Sequence, residues 1–407
     1  MDAENNPLVS IMVPARNEEA CLGTCLQSLV AQTGIAFEII VVDDDSTDGT
    51  AEIARAFSDK RAEHVLNASP GVAARGYTSQ VKGASGRVGA DALGHPDLSA
   101  KRVGAGVHAR PSVTVISAPP LPDNWTGKNN AMSTGAKAAK GNWLLFTDAD
   151  TVHGPGSLAR AVAEAEHHEA ALLSYSPEQE VRGFWEKTVM PVIFAELAAT
   201  YPPAKVNDPA SPIAAANGQY LLMSREAYDA VGGHTKIAGD LLEDVAMARL
   251  VKSSGRKLFF RYGGDAVRTR MYRSFAQLRE GWTKNLALLF PSPRGLALLR
   301  SAEFLLIIGN LVAAVWAKLS GRPDLALQAA LLTVILAGWF WLRIRKAHFP
   351  ARSSLVAILG LPVFSYLLVR SIRSCRHGIV PWKGRRYRSG QSTPVKGALH
   401  DRTTDIA

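Results

Sequence analysis

The stretch Gly141-Asn142-Trp143-Leu144-Leu145-Phe146-Thr147-Asp148-Ala149-Asp150 joins a short apolar run to a pair of acidic residues. Apolar residues bounded by polar ones predict a buried strand. Ligands of open α/β sheets bind beyond the carboxyl ends of strands, which makes Asp148 and Asp150 candidates for a binding site. Carboxylates two residues apart can share a divalent cation bound to a diphosphate, and oxygen-only ligation favours Mg²⁺ or Mn²⁺. Because Asp is also common in solvated turns, the interpretation depends on the elements around this stretch.

Two strand–helix units precede this stretch. Leu8–Val13 and Phe37–Val42 are predicted strands, and each is followed by apolar residues at helical spacing. Asn17 and Glu18 follow the first strand, and Asp44 lies in the acidic run after the second. Polar side chains at the ends of neighbouring strands predict a nucleotide pocket. A dinucleotide site is disfavoured because the chain has no Gly-x-Gly-x-x-Gly.

A lysine stands at the start of the next predicted helix. After the predicted strand Val113–Ile116, a proline-rich segment leads to Lys128 and then to the helix Asn129–Lys140. A lysine beside a helix N-terminus can hold a phosphate through its charge and the free N–H groups of the first turn. Lysines are mostly solvent-facing, so the order of the elements carries this inference more than the residue itself.

The second half of the chain supplies a further acidic pair. Residues 216–223 are predicted to be a loop that enters a strand, and Leu242–Ser254 a helix whose first turn contains Glu243 and Asp244. Acidic residues in a first helical turn complement the helix dipole, which is one explanation for the pair. The other is that one of them is a general base beside an acceptor group.

Composition and charge restrict the class of protein. The chain has 407 residues and 47% hydrophobic content, enough for two or three domains with a large core. Its three cysteines are too few for a disulfide framework, and the polar N-terminus predicts no secretory signal. Residues 65–111, rich in Ala, Gly, Ser and Arg, show no sustained period and predict a mobile surface insertion.

The net charge of +10 is concentrated near the C-terminus, where residues 341–390 contain 11 Lys or Arg and no Asp or Glu. This pattern is typical of cytoplasmic flanks of membrane helices, and we expect no nucleic-acid partner. Ala302–Lys318 and Leu325–Leu342 are long enough to approach a full span, whereas Ser354–Val369 contains Gly360-Leu361-Pro362 and is expected to kink or re-enter. The sequence therefore predicts either two or three membrane spans.

The predicted organisation has three parts. Residues 1–290 form an α/β domain that ends in a helix, 274–290. The apolar face of this helix alone fits an interfacial position and an ordinary core position equally well, but the apolar segments that follow favour the interfacial position. Residues 291–370 form a membrane region with two or three transmembrane helices. Residues 371–407 form a basic tail, which the positive-inside rule assigns to the cytosol. We therefore expect a multi-pass protein of the cell inner membrane with a cytosolic catalytic domain.

Several segments in this order and spacing resemble family 2 glycosyltransferases of the GT-A fold, a Rossmann-like mixed sheet. The resemblance covers about residues 8–290 without the insertion. The resemblance rests on Pro14-Ala15-Arg16-Asn17-Glu18, Val42-Asp43-Asp44-Asp45-Ser46-Thr47-Asp48, Lys128 and Asp148-Ala149-Asp150. The stretch from Pro120 to Lys128 is most similar to membrane enzymes that glycosylate carotenoid or hopanoid lipids.

The resemblance implies roles for individual residues. It makes Asp244, in the pair with Glu243, the general base, and Asp150 a metal ligand supported by Asp148. Asn217, Gly218 and Trp282 are expected on the acceptor side. The nucleotide-sugar donor is expected to meet seven residues: Pro14, Ala15, Asn17, Glu18, Asp44, Lys128 and Asp148.

The implied function is a metal-dependent, inverting transfer of a sugar to a lipid-borne acceptor. A polyprenyl-phosphate sugar transferase and a processive polysaccharide synthase are alternatives, although two residues separate Arg279 from Trp282 where polymer-making relatives have Gln-x-x-Arg-Trp. A catalytically silent membrane scaffold is an alternative of another class.

Overall fold

The structure, a computed structural model, describes residues 7–58, 111–377 and 379–388. The predicted insertion at 65–111, apart from its last residue, lies outside the described residues, and so does the end of the predicted tail. The described chain divides into two compact units. The first consists of the residues up to Glu180 together with Pro203–Ala238 and Glu243–Met271. The second consists of Val181–Pro202, Gly239–Leu242 and the residues from Tyr272 onward. A domain boundary at residue 290 stays a prediction.

The first unit is built on β-strands. Those that the structure describes are β1 (Val9–Ala15), β2 (Phe37–Asp43), β3 (Ser112–Ser117), β4 (Trp143–Phe146), β5 (Thr151–His153), β6 (Leu172–Ser176), β7 (Glu178–Gln179), β8 (Leu221–Ser224), β9 (Leu258–Tyr262) and β10 (Val267–Thr269). The main sheet has seven strands in the order β3-β2-β1-β4-β8-β6-β9, and β5, β10 and β7 form a small second sheet.

The helices of the first unit flank these strands. They are α1 (Leu22–Val30), α2 (Thr50–Ser58), α3 (Gly127–Ala138), α4 (Ser157–His167), and, after the segment that belongs to the second unit, α6 (Pro203–Val206), α7 (Arg225–Ala230), α8 (Gly233–Lys236) and α9 (Glu243–Ser253). The predicted strands and helices of this unit are present, with boundaries shifted by a few residues. The predicted mixed α/β class is confirmed.

Strand direction determines where the site lies. β1 pairs in parallel with β2 and β4, whereas β8 runs antiparallel to β4, with Phe146 opposite Leu221. The carboxyl ends of β1, β2 and β4 and the amino end of β8 therefore meet at one edge of the sheet. This is the edge that binds ligands in open α/β sheets.

The opposite edge is held by a buried polar contact. The Ser10 hydroxyl donates to Glu38 (2.6 Å) and accepts from the backbone N–H of Gly141 (2.8 Å). A Cβ on Gly141 would lie 2.6 Å from the backbone nitrogen of Ser10, so only glycine permits this approach of the β4 entry to β1. The contact fixes the position of β4, and with it the position of the acids at the other end of that strand.

The second unit is mainly helical. Its elements are α5 (Phe184–Thr200), α10 (Phe275–Leu289), α11 (Pro293–Leu319), α12 (Pro323–Ile344), α13 (Ala351–Ser354), α14 (Gly360–Arg376) and the antiparallel strands β11 (Ile379–Trp382) and β12 (Arg385–Arg388), with 3₁₀ turns at Arg345–Ala347 and Ala357–Leu359. The apolar face of α10, which includes Leu278, Trp282 and Leu286, is buried. Protein therefore covers the face that an interfacial helix would turn toward lipid.

Candidate functional site

A buried hydroxyl network holds the turn that contains the two acids. Asp148 and Asp150 lie between β4 and β5. The Thr147 hydroxyl donates to the backbone carbonyl of Gln219 (2.8 Å), and the Thr151 hydroxyl donates to that of Asp148 (2.7 Å). The two hydroxyl oxygens are 3.0 Å apart. This fixes the turn against the amino end of β8.

A buried histidine completes the network. Nε2 of His153 lies 3.1 Å from the hydroxyl oxygens of both Thr147 and Thr151. Burial lowers the pKa of His153 to about 3, so the ring is neutral at physiological pH. The sequence analysis did not identify this support, because Thr and His between two strands carry no pattern that separates a network from ordinary packing.

Lys128 connects the sheet edge to α9. It follows Gly127 at the start of α3, and its ammonium lies 2.6 Å from a carboxylate oxygen of Asp148 and 2.6 Å from one of Glu243. Burial alone would lower the pKa of this ammonium, but the charges of Asp148 and Glu243 outweigh burial and raise it. Lys128 is therefore a fixed cation between two acids that are 95 residues apart in the sequence.

Asp244 has a different environment from its neighbour Glu243. Its carboxylate accepts hydrogen bonds from the backbone N–H of Gly218 (3.0 Å) and of Val245 (2.8 Å). Burial, followed by the nearby charge of Glu243, raises the pKa of Asp244 to about 6, against the opposing effect of Lys128. A carboxylate with this pKa is mostly deprotonated at neutral pH and is a stronger base than an ordinary aspartate.

The loops after β1 and β2 are tied to each other at the same edge. Asn17 adopts a left-handed backbone conformation (φ 54°), and its side-chain carbonyl accepts from the backbone N–H of Thr47 (2.8 Å). The backbone N–H of Glu18 donates to the Thr50 hydroxyl (2.8 Å), and that of Asp44 to the carbonyl of Ala15 (2.9 Å). The Asn17 side chain thus positions a loop.

The predicted residues fall into groups in the structure. Five of the predicted donor-side residues lie at or just after the carboxyl ends of the parallel strands β1 and β2: Pro14, Ala15, Asn17, Glu18 and Asp44. Lys128, Asp148, Gly218, Glu243 and Asp244 form one contact cluster. We call this second group the lysine–acid cluster.

Two predicted acceptor-side residues have structural contacts of their own. The Asn217 side chain accepts from the backbone N–H of Gln219 (2.9 Å) within the loop before β8. Trp282 belongs to the second unit, where its ring is 3% exposed and its indole N–H donates to the sulfur of Met190 (3.4 Å). A role of Trp282 on the acceptor side stays a prediction.

The donor set at the turn suits a hard cation. Asp148 and Asp150 offer carboxylate oxygens, the ligands that Mg²⁺ and Mn²⁺ prefer. Within the described residues, no group of three or more His, Cys, Asp or Glu side chains is arranged to hold a metal. A cation here would therefore take its remaining ligands from the substrate and water, as Mg²⁺ does when it is bound with phosphates.

Comparisons with known proteins place these features in a family. A 4,4'-diaponeurosporenoate glycosyltransferase of Staphylococcus aureus (strain MRSA252) is 24% identical over 395 residues, which cover 94% of this chain and 89% of the relative. Among solved structures, the mannosyltransferase PcManGT from Pyrobaculum calidifontis in complex with GDP-Man and Mn²⁺ has a TM-score of 0.43 at 15% identity, covering 91% of this chain and 87% of that chain.

A second solved structure is glucosyl-3-phosphoglycerate synthase from Mycobacterium tuberculosis in complex with Mn²⁺, uridine-diphosphate and glucosyl-3-phosphoglycerate. Its TM-score is 0.36 at 18% identity, covering 69% of this chain and 78% of that chain. At TM-scores below 0.5 neither structural likeness supports a conclusion about the chemistry of this chain.

The family model described as "Glycosyl transferase family 2" matches residues 10–87 and 112–232. The match contains the sheet edge with Asp44, Lys128, Asp148 and Asp150, and it ends before Glu243. The predicted resemblance, including its similarity to carotenoid-associated enzymes, and the predicted GT-A fold class are confirmed. The chain is an enzyme that belongs to glycosyl transferase family 2.

Proposed function

We propose that this enzyme is anchored in the cell inner membrane and transfers a sugar from a nucleotide-sugar donor to a lipid-borne acceptor, with inversion at the anomeric carbon. The observation that carries the chemistry is the lysine–acid cluster. It combines a cation fixed between Asp148 and Glu243 with a carboxylate, Asp244, whose raised pKa suits a general base. The relatives, named for a transfer to 4,4'-diaponeurosporenoate, support an apolar acceptor.

The reaction is a single displacement. Asp244 accepts the proton of the acceptor hydroxyl while that oxygen forms a bond to the anomeric carbon. The bond between this carbon and the diphosphate oxygen breaks, and the nucleoside diphosphate leaves with the electron pair. An acceptor that is already a carboxylate needs no base, so dependence on Asp244 distinguishes the two kinds of acceptor.

The negative charge of the leaving diphosphate is assigned to two partners, the turn that contains Asp148 and Asp150, and Lys128. Asp150, with Asp148, would hold a divalent cation, which supplies neutralisation of the diphosphate as it leaves. Lys128 contacts Asp148, and its ammonium can exchange this contact for one with a phosphate oxygen of the donor.

Membrane anchoring is supported by the helices of the second unit. Three helical segments are long and apolar enough to cross a bilayer: Pro293–Leu319, Pro323–Ala347 and Ala357–Arg376. In the most apolar stretch of each segment, protein buries 11% of the first and 6% of the second, against 39% of the third. The hairpin of α11 and α12 therefore exposes apolar side chains that need a lipid environment, whereas protein covers more of the segment that ends in α14.

A partly buried ionic cluster marks one end of this hairpin. Arg300 lies 3.0 Å from Glu196 and 2.7 Å from Glu303, and Arg343 lies 2.8 Å from Glu303. Charges in membrane helices are expensive and are found paired. In α12, the residues that precede Arg343, from Pro323 to Leu342, span about 30 Å, which is the thickness of the hydrocarbon core of a bilayer. We therefore place the ionic cluster at one boundary of the bilayer.

Contacts of the C-terminal strands favour two spans over three. The ammonium of Lys284 in α10 lies 4.9 Å from the ring centroid of Trp382 in β11. The Ser365 hydroxyl of α14 donates to the carbonyl of Ala297, which precedes the ionic cluster in α11. Because a side-chain contact cannot reach across a bilayer, the number of crossings between Lys284 and Trp382 is even. Two spans also keep the basic tail on the cytosolic side.

The transfer reaction is tested on membranes that contain the full-length chain. They are incubated with radiolabelled UDP-glucose, UDP-galactose, UDP-N-acetylglucosamine and GDP-mannose, and lipids are then extracted. Label is expected in the organic phase for one donor, and membranes with Asp244→Asn are expected to give a 10²–10⁴-fold lower rate for a hydroxyl acceptor, the usual range for general-base catalysis. Label that enters only water-soluble products would refute the lipid acceptor.

The topology is tested with single cysteines in a variant whose three native cysteines are replaced. In intact cells, an impermeant thiol reagent should label Ser320→Cys, in the turn between α11 and α12. It should label Lys383→Cys, between β11 and β12, only after the membrane is opened. Labelling of Lys383→Cys in intact cells would establish an odd number of spans.

A further inference from the structure

His234 is a buried histidine beside the lysine–acid cluster that the mechanism above does not use. It belongs to α8 and is 4% exposed. Its ring packs edge-on against Phe146 of β4, with centroids 4.7 Å apart, and near Tyr228 of α7, with centroids 5.6 Å apart. Burial lowers the pKa of His234 to about 3, against the opposing charge of Glu243, so the ring is neutral.

Tyr228 determines which ring nitrogen carries the proton. The backbone N–H of His234 donates to the Tyr228 hydroxyl oxygen (3.1 Å), and the same oxygen lies 3.0 Å from Nδ1 of His234. We assign the hydroxyl hydrogen to Nδ1, because the hydroxyl oxygen already accepts the backbone N–H. Nδ1 is then unprotonated, and the hydrogen-bond pattern assigns the proton to Nε2.

His234 lines a recess at the lysine–acid cluster. His234, Glu243 and Asp244 line this recess together with the backbone of Gly218, and Met132, Phe146 and Leu221 supply apolar walls. The recess is shallow, is partly open to solvent and has room for a small polar group. Because Nδ1 is engaged by Tyr228, Nε2–H is the donor that His234 offers to an occupant of the recess.

The polar groups of the recess match a hydroxyl group better than an anion. The two carboxylates repel a phosphate or a carboxylate, and the neutral ring adds no positive charge to offset this repulsion. The charge of Lys128 is already shared by Asp148 and Glu243. A hydroxyl group can donate to a carboxylate and accept from Nε2–H at the same time. An acceptor nucleophile that accepted this hydrogen bond would have less electron density for attack, so a sugar hydroxyl is the better occupant.

We propose that His234 binds a hydroxyl group of the donor sugar through Nε2–H and thereby selects the sugar, with Tyr228 as the positioning residue that fixes the ring tautomer. This inference rests on the proposed nucleotide-sugar donor and goes beyond it by naming a specificity-determining residue. A sugar that lacks this hydroxyl, or holds it in the opposite configuration, leaves Nε2–H without its partner and loses affinity or rate.

The test uses the full-length protein and the donor that the wild type binds among the four nucleotide sugars above, with its 3-, 4- and 6-deoxy analogues. His234→Phe keeps the ring packing and removes both nitrogens. For the complete donor we expect about a tenfold loss in binding and in kcat/KM, as for one hydrogen bond. For one of the deoxy analogues we expect the variant and the wild type to be equal.

Two further variants separate binding from structure. Tyr228→Phe should show a smaller loss with the same dependence on the deoxy analogue, because the ring keeps its nitrogens but not its fixed tautomer. His168→Phe makes the same substitution at a ring that stacks on Phe259, and it should behave as the wild type. An equal loss of His234→Phe on the donor and on all analogues would overturn the proposal and indicate a packing role.

Binding and transfer are measured separately, so that the two proposals fail in different ways. Donor binding by calorimetry without transfer to lipid would contradict the proposed function and still test His234 through the analogues. A wild type that binds none of the four nucleotide sugars would overturn both.

Discussion

The pH dependence of transfer should follow the titration of Asp244, and changes to its two charged neighbours should move it in opposite directions. The pKa of Asp244 is raised to about 6, so roughly a tenth of this group is deprotonated at pH 5 and roughly nine tenths at pH 7. If Asp244 is the base, kcat/KM should fall about tenfold between pH 7 and pH 5, since this parameter reports the free enzyme.

The causes of the shift give its sign in the variants. Glu243 raises the pKa of Asp244 and Lys128 lowers it. Glu243→Gln should therefore move the midpoint of the profile down, and Lys128→Met should move it up, each by about one unit. The assay is initial-rate transfer with a hydroxyl acceptor at subsaturating donor, and Asp244→Asn should remove the acid limb. Midpoints that stay fixed, or that move in the same direction, would refute Asp244 as the titrating base.

Three further outcomes are expected. Asp150→Ala should abolish transfer while thermal unfolding stays near that of the wild type, and chelation should mimic it reversibly with Mn²⁺ or Mg²⁺; full activity in excess chelator would exclude the metal. Gly218→Ala should reduce transfer more than it lowers stability, because its Cβ would lie 3.0 Å from a carboxylate oxygen of Glu243 and 3.1 Å from the Lys128 ammonium, and both side-chain ends must shift; transfer equal to that of the wild type would contradict this. Glu196→Ala should destabilise the detergent-solubilised protein by about 1–3 kcal/mol, since Arg300 and Arg343 would then share the single carboxylate of Glu303; an unchanged melting temperature would contradict the ionic cluster.

The sequence was sufficient for the elements whose pattern is local. β4 begins and ends where the apolar run does, and the acids follow it directly. It was insufficient for α5, because that helix contains Pro191 and buries side chains around most of its circumference, so it shows no one-sided spacing. The support of the Asp148 turn by Thr151 and His153 also escaped prediction, since hydroxyl networks depend on tertiary contacts.

Long-range pairing is the other part that the sequence could not give. A phosphate-binding role for Lys128 followed from its place at a helix start, but its contacts with Asp148 and Glu243 depend on how β4, α3 and α9 meet. In the third apolar segment, α14 begins at Gly360, and a kink or re-entry there stays a prediction. A Cβ on that glycine would lie 1.9 Å from the carbonyl oxygen of Thr188, so this position packs directly on the backbone of α5.

The division of labour between the two adjacent acids follows from helix geometry. Successive helical side chains point about 100° apart, and Glu243 and Asp244, although both line the recess, have different contacts. Glu243 faces Lys128, and this contact stabilises its charge. Asp244 accepts one backbone N–H at each oxygen, from Gly218 and Val245, which leaves about two of its four lone-pair positions for a substrate proton. The backbone amides orient the carboxylate without providing a full counter-charge, and burial beside Glu243 keeps it basic. Asp244, which takes its hydrogen bonds from backbone amides, is therefore the acid suited to proton transfer.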